Sequence, residues 1–193
     1  MEEDRGEKIS SLMEHCLKME KEGYKIILPG DIVDILEFGL EAIKRDDFCR
    51  AVWYWANHSG RIRLKGNHDA EPNLPASVVI DDIYISHWSA FDMLWGWLPI
   101  YRFPVPDWIV RRYKTPAKKK GELLDYHLST AQIEFEATKF CVKKGYRAVV
   151  GGHTHSPFVL DREGYKLANS GDMVDSFTWL EGDTETNVWR LMR

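Results

Sequence analysis

Three cysteines, Cys16, Cys49 and Cys141, are all that 193 residues contain, and none sits in a Cys-x-x-Cys spacing. That excludes a disulfide framework and a zinc ribbon, and points to a reducing compartment. No stretch approaches the roughly 18 apolar residues needed to cross a bilayer, and the start lacks a basic segment followed by an apolar run. A cytoplasmic protein is expected. Neither charge dominates: 26 Lys and Arg face 30 Asp and Glu, for a net charge of −4 and a pI near 6.0. A general nucleic-acid-binding surface would need strong basic character, so nucleic acid is not the expected partner. Repeats, linkers and low-complexity tracts are missing too. What is present, 44% hydrophobic and 29% charged residues, suits one sizeable core and a single domain over 1–193.

In chain order, a charged lead-in from Met1 to Lys8 precedes Ile9, Leu12, Met13, Cys16 and Leu17, whose helical spacing runs to a stop at Gly23. Tyr24 to Leu28 is a short β-prone run ending at Gly30-Asp31, where α/β proteins place ligands. Val33 to His58 reads as helix, Arg61 to Lys65 as strand, and Val78 to Ser86 as paired strands around Asp81-Asp82. Leu123 to Lys144 is a long helix with Ile133, Phe135, Ala137, Phe140 and Cys141 mostly inside, and Tyr146 to Val150 a buried strand. Short strands around Val159, Lys166 to Ala168, Phe177 to Leu180 and Val188 to Leu191 close the chain. Strands alternating with helices and a β-rich tail predict a mixed α/β fold.

Chemistry collects at the ends of these runs. Gly66-Asn67-His68-Asp69 follows one strand, Gly30-Asp31-Ile32-Val33-Asp34 another, Ser86-His87 a third and Gly151-Gly152-His153-Thr154-His155 a fourth. Together the loops offer a carboxylate, an amide oxygen and three imidazoles. Oxygen and nitrogen donors without thiolate suit Mn²⁺, Fe²⁺, Zn²⁺ or Co²⁺ in a reactive centre better than a structural zinc. A bridging carboxylate can hold two such ions, which bind a phosphoryl oxygen and activate water, so phosphoester hydrolysis is the natural reaction.

In this order the four blocks resemble the signature of the calcineurin-like metallophosphoesterases. The stretch Leu167-Ala-Asn-Ser-Gly-Asp-Met-Val-Asp-Ser-Phe-Thr-Trp-Leu180, with an aromatic insertion after His87, is similar to the branch that contains UDP-2,3-diacylglucosamine hydrolases, enzymes that cleave a pyrophosphate. The resemblance implies a four-layer sandwich of central mixed β-sheets flanked by helices. It makes Asp31 the bridging carboxylate, assigns Asn67, His87 and His153 to one metal, and gives His155 to the other. It also implies that His68 contacts the phosphoryl oxygens or protonates the leaving group, with Asp69 orienting its imidazole. Asp34 and Asp172 are supporting residues or turn carboxylates.

One departure stands out: the family opens with a strand ending in Asp-x-His, and no such motif occurs here. Asp31 and His155 alone would serve that ion, so one well-held Mn²⁺-class ion and a weak second site are expected. The neighbouring strands would keep unpaired edges unless another segment or chain, such as a second copy, covers them. Two readings stand: a phosphoesterase acting on a phosphodiester or pyrophosphate, whose natural chain extends upstream of Met1, and a short metal- and phosphate-binding form with little catalysis. Residues 88–122 read as a cap insertion, aromatic over Phe91 to Val110 and basic from Arg111 to Lys120. These aromatics either pack internally or shelter an acyl chain, with Arg111 and Arg112 binding an anionic headgroup at a membrane surface.

Overall fold

Apolar side chains alternate along three neighbouring strands, and the two faces they create organise the molecule. The computed structural model describes residues 2–33, 35–58, 60–69, 71, 73–91, 122–173 and 176–193. Its main sheet comprises β3 (Ser77–Ile80), β4 (Ile83–Ser86), β5 (Ala148–Gly151), β6 (Phe158–Arg162) and β7 (Tyr165–Asn169), in the order β3-β4-β5-β7-β6. β4, β5 and β7 run parallel, and the outer partners β3 and β6 are antiparallel to them. The sheet is therefore mixed.

Ile83 and Ile85 of β4, Ala148 and Val150 of β5 and Ala168 of β7 form one core. The residues between them, Tyr84, Val149 and Leu167, belong to another on the opposite face. A period of two explains this partition. The second face is covered by α5 (Glu122–Lys144), through Ile133, Ala137 and Cys141, each at most 2% exposed and spaced by four. Phe135, expected inside, is 60% exposed, because a residue two positions from Ile133 lies on the far side of the helix.

The first face packs against two strand pairs. β1 (Ile27–Leu28) and β2 (Ile62–Arg63) are parallel, β8 (Trp179–Asp183) and β9 (Val188–Met192) antiparallel, and Ile27, Ile62, Leu180 and Trp189 meet the core under β4 and β5. A further cluster joins α1 (Glu2–Lys21) to the helices after β1. The layers thus run helix, sheet, strand pairs, helices. The expected charged lead-in is helical from Glu2. The helix expected over Val33 to His58 is three: α2 (Ile35–Phe38), α3 (Leu40–Arg45) and α4 (Asp47–Ala56). Gly39 interrupts it with φ 76°, and Asp46 caps α4 by accepting the Cys49 N–H at 2.7 Å.

β3 and β4 join through Asp81 and Asp82 at φ 48° and 65°, the left-handed pair of a two-residue hairpin that matches strand twist. Of the expected cap, Trp88 is fully buried and packs with Phe91 against α5. Residues 92–121, with Arg111, Arg112 and most of the aromatic run, lie outside the described residues, as does Asp34. No helix among the described residues is long and apolar enough to cross a membrane.

Candidate metal centre

Every block singled out in the sequence arrives at the same end of the strand layers. β1 leads into Asp31, β2 into Asn67, β4 into His87 and β5 into His153. Two glycines let the first two loops touch: a Cβ on Gly66 would lie 2.0 Å from Asp31 Oδ1, and one on Gly30 would lie 2.5 Å from Gly66 N. Only hydrogen fits there. Asp31, His153 and His155 all adopt left-handed backbone, with φ of 53°, 85° and 54°. Such conformations cost free energy in non-glycine residues and gather at functional sites.

The side chains converge. His87 Nε2 lies 2.8 Å from Asp31 Oδ2, 2.9 Å from Asn67 Oδ1 and 3.2 Å from His153 Nδ1, and His153 Nδ1 lies 3.0 Å from Asn67 Oδ1. Asp31, His87 and His153 form a group able to hold a metal ion. The tautomer of His87 sharpens the point. Its Nδ1 is 2.9 Å from the Pro29 carbonyl oxygen, which only accepts, so Nδ1 carries the proton and neutral Nε2 carries a lone pair. That lone pair faces a carboxylate and an amide oxygen. Either a second proton on His87 or a cation among the donors is needed to offset the repulsion. Bonds of 2.0–2.2 Å place adjacent donors about 3.0 Å apart in an octahedral shell and about 3.4 Å in a tetrahedral one, so the observed spacing fits a divalent ion with slight expansion.

Burial would push the Asp31 carboxyl up, but the hydrogen bond and charge of His87, with the His68 backbone N–H, hold it below its ordinary 3.8. The latter N–H donates to Asp31 Oδ1 at 2.7 Å. His68 thus aids the site through its backbone, and the residue is half-buried.

Asp69 ties the two loops together. Its Oδ2 accepts the N–H groups of Asp31 (3.0 Å) and Gly66 (2.8 Å), and its Oδ1 accepts Arg63 Nη2 at 2.6 Å. With side-chain exposures of 0% for Asp69 and 4% for Arg63, the pair is an interior clamp on the loop backbone. Arg63 also meets Glu71 at 2.5 Å and Asn57 at 3.2 Å. Sequence reasoning passed over Arg63, because an arginine within a short strand carries no mark of burial. Pro29 was missed as well, since a backbone acceptor leaves no mark in residue type.

His155 stands outside the close group. Its Nδ1 lies 2.8 Å from Asp172 Oδ2, and both residues line a cavity of about 660 Å³ that also reaches Asp31, His87 and His153. Apolar Leu12, Met13, Leu28, Ile85, Val150 and Leu180 make up its depth. Among the described residues β1 pairs only with β2 and β8 only with β9, and residues of both β1 and β8 border this space.

No protein-family model and no curated protein matches the chain. Solved structures do resemble it. A conserved uncharacterised protein from Streptococcus pneumoniae, described as a predicted phosphoesterase, aligns over 88% of this chain and 74% of its own at 14% identity, with a TM-score of 0.44. Vps29 from Entamoeba histolytica aligns in a singly substituted form over 88% of this chain and 68% of its own (13% identity, TM-score 0.40). A doubly substituted form aligns over 82% and 69% (11% identity, TM-score 0.41). At these levels the resemblances assign no chemistry to this chain.

Proposed function

We propose that the chain is a metal-dependent phosphoesterase of the calcineurin-like type, hydrolysing a phosphodiester or pyrophosphate. The carrying observation is the convergence of Asp31 Oδ2, Asn67 Oδ1 and His153 Nδ1 within 3.2 Å of His87 Nε2, with the other His87 nitrogen fixed by Pro29. These four residues would hold one divalent ion of the Mn²⁺ class. When bound, such an ion offsets charge on the phosphoryl oxygens and acidifies a water molecule. His155 is the candidate ligand for a second ion. His68, one residue from Asn67, is the candidate to protonate the leaving oxygen or bind the phosphoryl group.

The finer reading, a pyrophosphate carrying an acyl chain, draws support from the aromatic and basic composition of residues 91–120 and from the tail motif Leu167 to Leu180. Arg111 and Arg112 would then bind the anionic headgroup. A second reading, a metal- and phosphate-binding form with weak catalysis, is favoured by the separation of His155 from the close group.

Hydrolysis of bis(p-nitrophenyl) phosphate, measured with and without Mn²⁺, tests the assignment. Metal-dependent turnover that falls in His68→Ala, with metal content near normal, is expected. Bound metal without turnover in any divalent ion would favour the second reading.

A further inference from the structure

We infer that Asn169 is the positioning residue of the loop that carries His153, holding that loop on both sides of the histidine with one buried carboxamide. Asn169 ends β7, where the register sets it beside Gly151, the last residue of β5. It is fully buried. Its Oδ1 accepts the Gly171 N–H at 2.9 Å, so the nitrogen faces the other way and donates to the Gly152 carbonyl at 2.9 Å and to Thr154 Oγ1 at 3.1 Å. Turning the amide over would set an NH₂ against the Gly171 N–H and an oxygen against the Gly152 carbonyl oxygen. Its orientation is therefore fixed by its partners.

Starting a turn would account for the oxygen alone. Asn, Asp and Ser all do that, and the Gly171 contact asks for nothing more. The NH₂ group is what singles out asparagine, because its donors go to the two residues that flank His153. That histidine has left-handed backbone at φ 85°, a conformation that a non-glycine residue keeps only where its surroundings over-determine it. One bond holds the carbonyl before it, the other the hydroxyl after it. With the backbone so held, His153 Nδ1 lies 3.0 Å from Asn67 Oδ1 and 3.2 Å from His87 Nε2. Thr154 is buried as well, at 4% exposure, so solvent offers little substitute for its bond.

That the placed ring ligates a metal rests on the proposed phosphoesterase reading; the backbone conformation does not, and can be observed on metal-free protein. Scalar couplings and ¹³C shifts of the isotopically labelled full chain would report φ at residue 153, and calorimetric titration with Mn²⁺ would report the site. The wild type and Thr154→Ser, which keeps the hydroxyl, should both show left-handed His153. Asn169→Asp preserves the turn oxygen but sets an oxygen against the Gly152 carbonyl. His153 should then relax out of the left-handed region, and Mn²⁺ affinity should fall about 10–100-fold, the size found for groups that orient metal ligands. Thr154→Val removes one acceptor at nearly constant volume and should lose a smaller part of that affinity; it decides the matter if Asn169→Asp does not fold. Val149→Ala opens the core on the strand that leads to the same loop, so it should lower the melting temperature while φ at residue 153 and Mn²⁺ affinity stay as in the wild type. Left-handed His153 with full Mn²⁺ affinity in Asn169→Asp or, should that fail to fold, in Thr154→Val would overturn the inference, as would an equal loss of affinity in Val149→Ala. A wild type that binds no Mn²⁺ would count against the phosphoesterase reading alone, and the couplings at residue 153 would still decide the role of Asn169.

Discussion

Asp69 Oδ2 lies 3.0 Å from the backbone nitrogen of Asp31, across 38 residues of chain, while the same oxygen takes the Gly66 N–H. One buried carboxylate therefore joins the loop after β1 to the loop after β2. Asp69→Ala would orphan two backbone donors and strip Arg63 of its fully buried partner. Breaking such a pair typically costs about 3–5 kcal/mol. Urea denaturation should show a loss of that size; a loss below about 1 kcal/mol would mean that Glu71 alone can hold Arg63.

Gly66→Ala should be among the most disruptive single-methyl changes, because the added carbon would overlap Asp31 Oδ1 at 2.0 Å. Loss of metal binding, and a lower melting temperature, are the expected readouts. Gly6→Ala in α1 is the control: its Cβ would find its nearest neighbour at 4.0 Å, and alanine in a helix gains roughly 0.5–1 kcal/mol over glycine. Equal effects of the two substitutions would contradict the loop contact.

The lowered Asp31 carboxyl has a pH consequence with a definite sign. A carboxylate whose folded value lies below its ordinary 3.8 contributes stability that is full above the unfolded value and lost as pH falls through the folded one. In metal-free protein the stability gap between wild type and Asp31→Asn should shrink when the pH is lowered from 6 to 3. A gap that widens on acidification would show that the His87 contact does not stabilise the charged form.

Thiol chemistry checks the core independently. Burial pushes Cys16 and Cys141 up to about 11, leaving about one thiolate in a thousand at pH 8. Cys49 is less buried and should react first with a thiol reagent, with the other two following only on unfolding. Rapid modification of Cys141 in folded protein would contradict its place on the buried face of α5.

Short β-prone runs carried much of the fold: Val78 to Ser86, read as paired strands around Asp81-Asp82, is the β3-β4 hairpin, whereas the division of Ile83 and Ile85 from Tyr84 into two cores emerged only with the structure. The ligand loops were legible too, because Asp31, Asn67, His87 and His153 each end a β-prone run. What the sequence concealed was relational. The clamp of Arg63 on Asp69 depends on a buried charge pair that residue type does not announce, and the tautomer of His87 depends on a carbonyl of Pro29. Phe135 was misplaced since an apolar residue type does not by itself say which face of α5 it occupies. The breaks at Gly39 and Asp46 went unread in the less regular apolar pattern of Val33 to His58, although Asp46 is a residue type that caps helices.

The most direct test of the metal centre is calorimetric titration of the metal-free chain with Mn²⁺, run in two buffers of different ionisation enthalpy. One tight equivalent per chain is predicted, released by His87→Ala and by Asp31→Asn. Roughly one proton should be expelled if the ion displaces a second proton from His87. Mn²⁺ binding that survives the loss of both His87 and Asp31, or no binding of Mn²⁺, Fe²⁺, Zn²⁺ or Co²⁺ at all, would contradict the account.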